Sequence, residues 1–145
     1  MELSSPAFGN NQPIPDVHTA KGGGVPPPLA ITSVPSGTQS LALIVHDPDA
    51  VSGDYAHWVV WNISASTTWI PENHIPAGAM QGINDSNQQG YIPPSPPSGR
   101  HRYVFDMYAL NNELPIKCSS NAKQLIQAMQ GHIIGQAQLI GLVSA

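Results

Sequence analysis

Two short clusters hold most of the residues in this sequence that could do chemistry. The first is Asp47-Pro48-Asp49-Ala50, followed by His57-Trp58, and the second is Gly99-Arg100-His101-Arg102-Tyr103-Val104-Phe105. Two imidazoles and a phenol supply the donors that a small anion needs. A carboxylate beside a histidine fixes its tautomer and favours its charged form, which makes Asp47 an orienting partner rather than a repelling charge. Within the second cluster a period of two places His101, Tyr103 and Phe105 on one strand face and sends Arg102 to the other. There Asp85 or another loop carboxylate can pair with it.

The same side chains permit other chemistry. Asp47, His57 and His101 make a two-histidine, one-carboxylate set of the kind that holds iron. A small hydrolase could use Asp47 and a histidine as base, but it would need a nucleophile or an activated water beside them. Ser95 is the nearest candidate, and it lies in no nucleophile motif. Structural roles compete with all of these, because Asp-Pro-Asp is a common turn sequence and single histidines are often just partly buried. His18, His46, His74 and His132 stand outside the clusters and are expected to be surface or locally bonded groups.

Both clusters sit at the ends of segments that read as core strands. Leu41-Ala42-Leu43-Ile44-Val45 is apolar on both parities, as suits a strand covered on both faces, and it runs into the acidic turn. Trp58-Val59-Val60-Trp61-Asn62-Ile63 is a second such strand, with Gly53-Asp54 as the turn before it. A third runs from His101 to about Leu110. The long polar segment from Gly78 to Gly99, with its run Pro93-Pro94-Ser95-Pro96-Pro97, is a loop of the kind that carries function. One helix is expected, capped by Asn121 with Gln124 at its third position, carrying Ala122, Leu125, Ile126 and Met129 at helical spacing and stopping at Gly131. The tail from His132 to Val143 reads as a last strand.

Composition narrows the classes. A chain of 145 residues suits a single domain spanning 1–145. Its 15 prolines and 13 glycines exclude long helices and favour strands joined by stiffened loops. Residues 1–40 hold seven of the prolines and the run Gly22-Gly23-Gly24, so short strands are expected there. A net charge of −4 with five Lys and Arg offers no basic surface to nucleic acid. No stretch approaches the roughly 20 apolar residues of a membrane span. The first ten residues have neither a basic start nor an apolar run, so a cytoplasmic location is expected. One cysteine, Cys118, excludes an internal disulfide.

Together the two clusters resemble the signature stretches of the phosphatidylethanolamine-binding protein family, and more closely its bacterial, Raf-kinase-inhibitor-like branch. Pro26-Pro27-Pro28-Leu29, Pro35 to Leu43, Gly82-Ile83-Asn84-Asp85 and Gly90-Tyr91 extend the likeness over nearly the whole chain. The resemblance implies a mainly β fold: a central antiparallel Greek-key sheet, a smaller second sheet and a C-terminal helix. It also implies a pocket for phosphate-like or acetate-like anions and phosphorylated headgroups, built from Asp47, His57, His101 and Tyr103. Asp49 is counted with them, and Pro96 and Pro97 form a wall. Expected partners are therefore a small anion or headgroup and a kinase-like protein that the domain modulates. No catalysis, cofactor or metal is expected, and a homodimer with a vestigial pocket stands as an alternative. This chain departs from the family at Val51, where proline is usual, and at Ser95, where many bacterial members have cysteine. The segment before His57 is also short, so Tyr55 is a candidate replacement for an aromatic wall.

Overall fold

The computed structural model describes residues 1–145 as three layers, with a six-stranded sheet in the middle. The strands are β1 (Glu2–Ser4), β2 (Gln12–Pro13), β3 (Leu29–Thr32), β4 (Ser40–Asp47), β5 (Tyr55–Ser64), β6 (Trp69–Ile70), β7 (Met80–Gln81), β8 (Arg100–Leu110) and β9 (Ile133–Ser144), with α1 (Ala122–Met129) before the last. The large sheet has the order β2-β9-β8-β4-β5-β7, and the small one β1-β3-β6. After the β4–β5 hairpin the chain crosses over and returns as β8 on the free side of β4, a connection of the Greek-key kind.

β4 lies at the centre, and its parity explains why it is apolar throughout. Leu41, Leu43 and Val45 pack with Phe105 and Met107 of β8 and with Leu29, Ile31 and Ile70 of the small sheet. Ala42 and Ile44 face the other way, in the layer that contains Val59, Trp61, Leu125 and Met129. Continuing the alternation, Asp47 emerges on the small-sheet face and His46 on the helix face. The helix is held as its sequence predicts, because Asn121 and Gln124 form a reciprocal capping box. Gly131, with φ of 81°, follows its last turn.

Two features were not expected. β2 runs parallel to β9, so the large sheet is mixed at that edge rather than wholly antiparallel. The third strand of the small sheet, Trp69–Ile70, is two residues long and too short to show a period.

β5 carries two irregularities in its register with β4. Near the middle, Leu41 pairs with Ile63 while Leu43 pairs with Val60. Asn62 lies in that gap with φ of 54°. Its amide clamps Leu114, accepting from the backbone N–H at 2.8 Å and donating to the carbonyl at 3.0 Å. Near the start, Val45 pairs with Trp58 but His46 with Ala56, which leaves His57 as the extra residue of a β-bulge. The bulge puts consecutive residues, His57 and Trp58, on the same face of the sheet, and bulges commonly re-aim side chains in this way.

Asn62→Ala removes two hydrogen bonds and forces alanine into the left-handed region, so stability in urea should fall by about 2–3 kcal/mol. Asn62→Gly, which keeps the backbone angle, should lose less. A fully stable alanine variant would show that the Leu114 clamp does not hold β5.

Candidate functional site

A cavity of about 400 Å³ opens where β4 ends and where β5 and β8 begin. Asp47, His57, His101 and Tyr103 all line it, and Pro97 stands in its wall beside Pro96. The four side chains come from three neighbouring strands, and each of the four residues is less than a tenth exposed. The sequence expectation that one strand face carries His101, Tyr103 and Phe105 agrees with the structure, where His101 and Tyr103 line the cavity and Tyr103 and Phe105 share one core cluster.

Asp47 is the fixed point of the cavity. Its residue is 3% exposed, yet both carboxylate oxygens are bonded. One accepts from His101 Nδ1 at 2.7 Å and the other from the backbone N–H of Asp49 at 2.8 Å. The first contact sets the tautomer of His101 and leaves Nε2 as the ring nitrogen available to the cavity. His57 is oriented differently, by donation from Nδ1 to the Ile92 carbonyl at 2.9 Å. The Ile92 N–H in turn reaches the His57 carbonyl, so the proline-rich loop is bonded to the bulge by backbone and side chain together. Burial lowers the pKa of His57, outweighing the opposite pull of the Ile92 carbonyl and of Asp47 and Asp85. His57 is therefore neutral at neutral pH, with an Nε2 lone pair rather than a proton on its free side. Burial and the Asp47 carboxylate push the Tyr103 phenol up, so it stays a neutral O–H donor across the working range. The ring centroids of Tyr55, His57 and Tyr103 follow one another at 5.2 Å intervals in edge-to-face contacts.

Asp49 needs correcting, because it is not among the residues that line the cavity. Its carboxylate instead binds Arg102 twice through the guanidinium, at 2.8 and 2.9 Å, and once through the backbone N–H at 2.9 Å. These hydrogen bonds hold the Asp49 carboxyl well below the usual carboxylate range. Arg102 does lie on the opposite strand parity from His101, and its partner is Asp49 rather than Asp85. Asp85 instead accepts from the Ala56 N–H at 2.7 Å.

Several contributors were not legible. The rim is completed by Ala50, Val51 and Ser52, small residues of a turn that carry no chemical signal. Tyr55 does line the cavity, and its hydroxyl contacts that of Ser86. Ser95 also lines it, and neither histidine is hydrogen-bonded to its hydroxyl. The wall is braced from behind by Gly24, whose φ is +69° and where an added Cβ would lie 2.7 Å from Pro93. His18 is buried rather than superficial and donates to the Val25 carbonyl at 3.0 Å. Tyr91 donates to the His18 carbonyl at 2.7 Å, fastening the loop to the N-terminal segment. His46 is also more engaged than expected, since it bonds both Asp54 and Asp106 on the helix face. No group of three or more His, Cys, Asp or Glu side chains converges in metal-ligating geometry. No helix is long and apolar enough to cross a membrane.

The profile of the phosphatidylethanolamine-binding protein family matches residues 4–144. A UPF0098 protein of Methanothermobacter thermautotrophicus is 43% identical over 147 residues, covering 98% of this chain and 97% of that protein. Among solved structures, the phosphatidylethanolamine-binding protein homolog CT736 of Chlamydia trachomatis superposes with a TM-score of 0.95 at 39% identity, covering 99% and 97% of the two chains. E. coli YbcL, described as a new member of the mammalian family, superposes at 0.93 with 28% identity, covering 99% and 98%.

The lowered pKa of His57 has a consequence for stability. In the folded state it resists a proton that the unfolded chain accepts near pH 6.5. Its contribution is whole above that pH and is lost as pH falls toward the folded value. His57→Gln should therefore show a shallower loss of denaturant stability between about pH 7.5 and 5 than wild type. Parallel curves for the two proteins would mean that His57 does not titrate in this way.

Proposed function

Since the chain belongs to the phosphatidylethanolamine-binding protein family, we propose that its His57–His101 cavity binds a small anionic group, such as a carboxylate, a phosphate or a phosphorylated headgroup, without catalysing a reaction on it. One observation carries this proposal: two ring nitrogens and a phenol face one small cavity, and each of the two imidazoles is oriented from behind by a different partner. Asp47 orients His101, and the Ile92 carbonyl orients His57. Such groups are positioned before a ligand arrives, which lowers the ordering cost of binding. A binding role is favoured over hydrolysis because no hydroxyl in the cavity is hydrogen-bonded to a histidine base, the geometry nucleophilic catalysis requires. Occupancy of the cavity would then modulate a partner protein, for which a kinase is the expectation carried by the family resemblance.

Binding must be coupled to protons. A neutral His57 presents a lone pair to the cavity, which repels an anionic oxygen, whereas the imidazolium donates to it. Anion binding therefore draws a proton onto His57, and affinity should rise as pH falls through the histidine range. Acetate is the decisive probe, because phosphate has its own ionisation near pH 6.

In NMR titrations, acetate should bind more tightly at pH 5.5 than at pH 8, with shifts mapping to Asp47, His57, His101 and Tyr103. A hydrogen bond to a charged group is worth roughly 1.5–3 kcal/mol against about 1 for a neutral one. His101→Gln should accordingly weaken binding by roughly tenfold, and Tyr103→Phe by about fivefold or less. Equal affinity at the two pH values, or shifts located elsewhere, would remove the cavity as the anion site.

A further inference from the structure

The rim turn Ala50–Gly53 is suspended between two charged anchors. On one side Asp49 is bound by Arg102, a cation at every working pH. On the other, Asp54 is bound by His46, whose Nδ1 lies 2.7 Å from Asp54 Oδ1 and whose Nε2 lies 2.7 Å from Asp106 Oδ2. Between them the turn has little of its own to hold it. The Gly53 N–H reaches the Ala50 carbonyl at 3.0 Å, and Val51 is 88% exposed. The inner side of this turn, at Ala50, Val51 and Ser52, is the rim of the anion cavity.

Both carboxylates are acceptors, so His46 must carry a proton on each ring nitrogen to satisfy them together. A neutral imidazole can donate to only one. Asp106 has a second donor in Gln138 Nε2 at 2.9 Å. Asp54 has no second donor in the protein, but its side chain is 60% exposed against 8% for Asp106, so water can replace the imidazole there and Asp54 is the partner released. We propose that Asp54–His46–Asp106 is a proton-dependent strap on the helix face of the sheet, closed when His46 is charged, which holds the rim turn in place and so sets the affinity of the cavity on the opposite face. This regulation rests on the anion-binding role proposed for that cavity.

The surroundings of His46 favour the charged form. It lines a cleft of about 620 Å³ beside α1, and its side chain is 20% exposed, so protons reach it from solvent. The groups facing that cleft are Asp54 from the turn, Asp85 from the loop after β7, Asp106 and Tyr108 from β8, and Lys123 from α1. Three carboxylates thus stand against Lys123. The Tyr108 phenol, pushed up to about 12 by burial and then by Asp106 and Asp54, stays neutral. Burial works against the charge on His46, but its hydrogen bonds to Asp106 and Asp54 outweigh it and raise the pKa. The strap is therefore closed at and below the ordinary histidine range and opens as pH rises through the raised value. His57 works at a lower pH, so the two effects are separable.

The test follows the His46 ring resonances and the amide exchange of residues 50–53 across pH, first without ligand and then with saturating acetate. Without ligand, exchange at the rim should quicken as His46 loses its proton, and Asp54→Asn should show the quickened rim at every pH. With acetate, the His46 midpoint should move up by about 0.7 unit, the reciprocal of a fivefold coupling between sites. Asp54→Asn should bind acetate about fivefold more weakly than wild type at pH 6 and equally above the His46 midpoint. Rim amides that ignore the His46 titration, or a midpoint unmoved while acetate fills the cavity, would overturn the strap. If wild type binds no acetate at any pH, it is the proposed binding function that fails, and the ligand-free measurement still decides whether His46 controls the turn.

Discussion

The buried carboxylate of Asp47 is the constraint around which the rest of the site is arranged. A charge with almost no exposure is tolerated only if its acceptor sites are filled. Here the fillers are His101 on β8 and the backbone of the turn that leaves β4. Satisfying one residue therefore joins two strands and shapes a loop. It also explains why His101 and Asp47 sit on matching parities of adjacent antiparallel strands, since the pairing is available only when both alternations point the same way. A one-residue slip of β8 against β4 would bury Arg102 under the small sheet and leave Asp47 without its imidazole.

That dependence on register also accounts for what could be read from the sequence. The central strands, the capped helix and the shared face of His101 and Tyr103 follow from alternation and spacing, which are local properties. His57 entered the site on its proximity to Asp47 and the family resemblance, and not on its strand period. Strict alternation from Trp58 would have turned it away, and only the bulge brings it to the cavity face. Asp49 was misplaced for a related reason. Asp-Pro-Asp shows that a turn is present, but which carboxylate points inward depends on the backbone path after the proline and on where Arg102 arrives from β8. The short strand β6 and the parallel pairing of β2 depend on partners distant in the chain, and nothing within two residues can announce them. His46 is different, because its partner was within reach of parity reasoning. Counting from Ile44 puts it on the helix face, and counting from Phe105 puts Asp106 there too.

Strand β4 thus ends in two adjacent residues that make opposite commitments. Asp47 takes an imidazole from β8 on one face, and His46 gives its own imidazole to a β8 carboxylate on the other. The two contacts cross the same pair of strands within a single step of the chain, so the coupling proposed between the two faces would run through one peptide plane and one turn. Such coupling needs no extended pathway. It needs only an element with two anchors, one of which can be released.

The scarcity of ordinary cations gives this arrangement its pH character. With five Lys and Arg in 145 residues, the domain has few permanent positive charges to place against its nine carboxylates. Four of its five close contacts between a basic side chain and a carboxylate are made by histidine, which is charged only when protonated, and Arg102 with Asp49 is the exception. A domain built with lysine at those positions would hold the same geometry at every physiological pH. Histidine makes the contacts conditional; one of them, His101 with Asp47, lies in the cavity, and another, His46 with Asp54, adjoins the rim turn whose other end Arg102 holds. Burial separates the two controlling imidazoles further, lowering the pKa of His57 while the flanking carboxylates raise that of His46. The pH interval between them is one in which the rim is held and the cavity histidine is neutral. In that interval the anion binding proposed for the cavity would draw a proton onto His57.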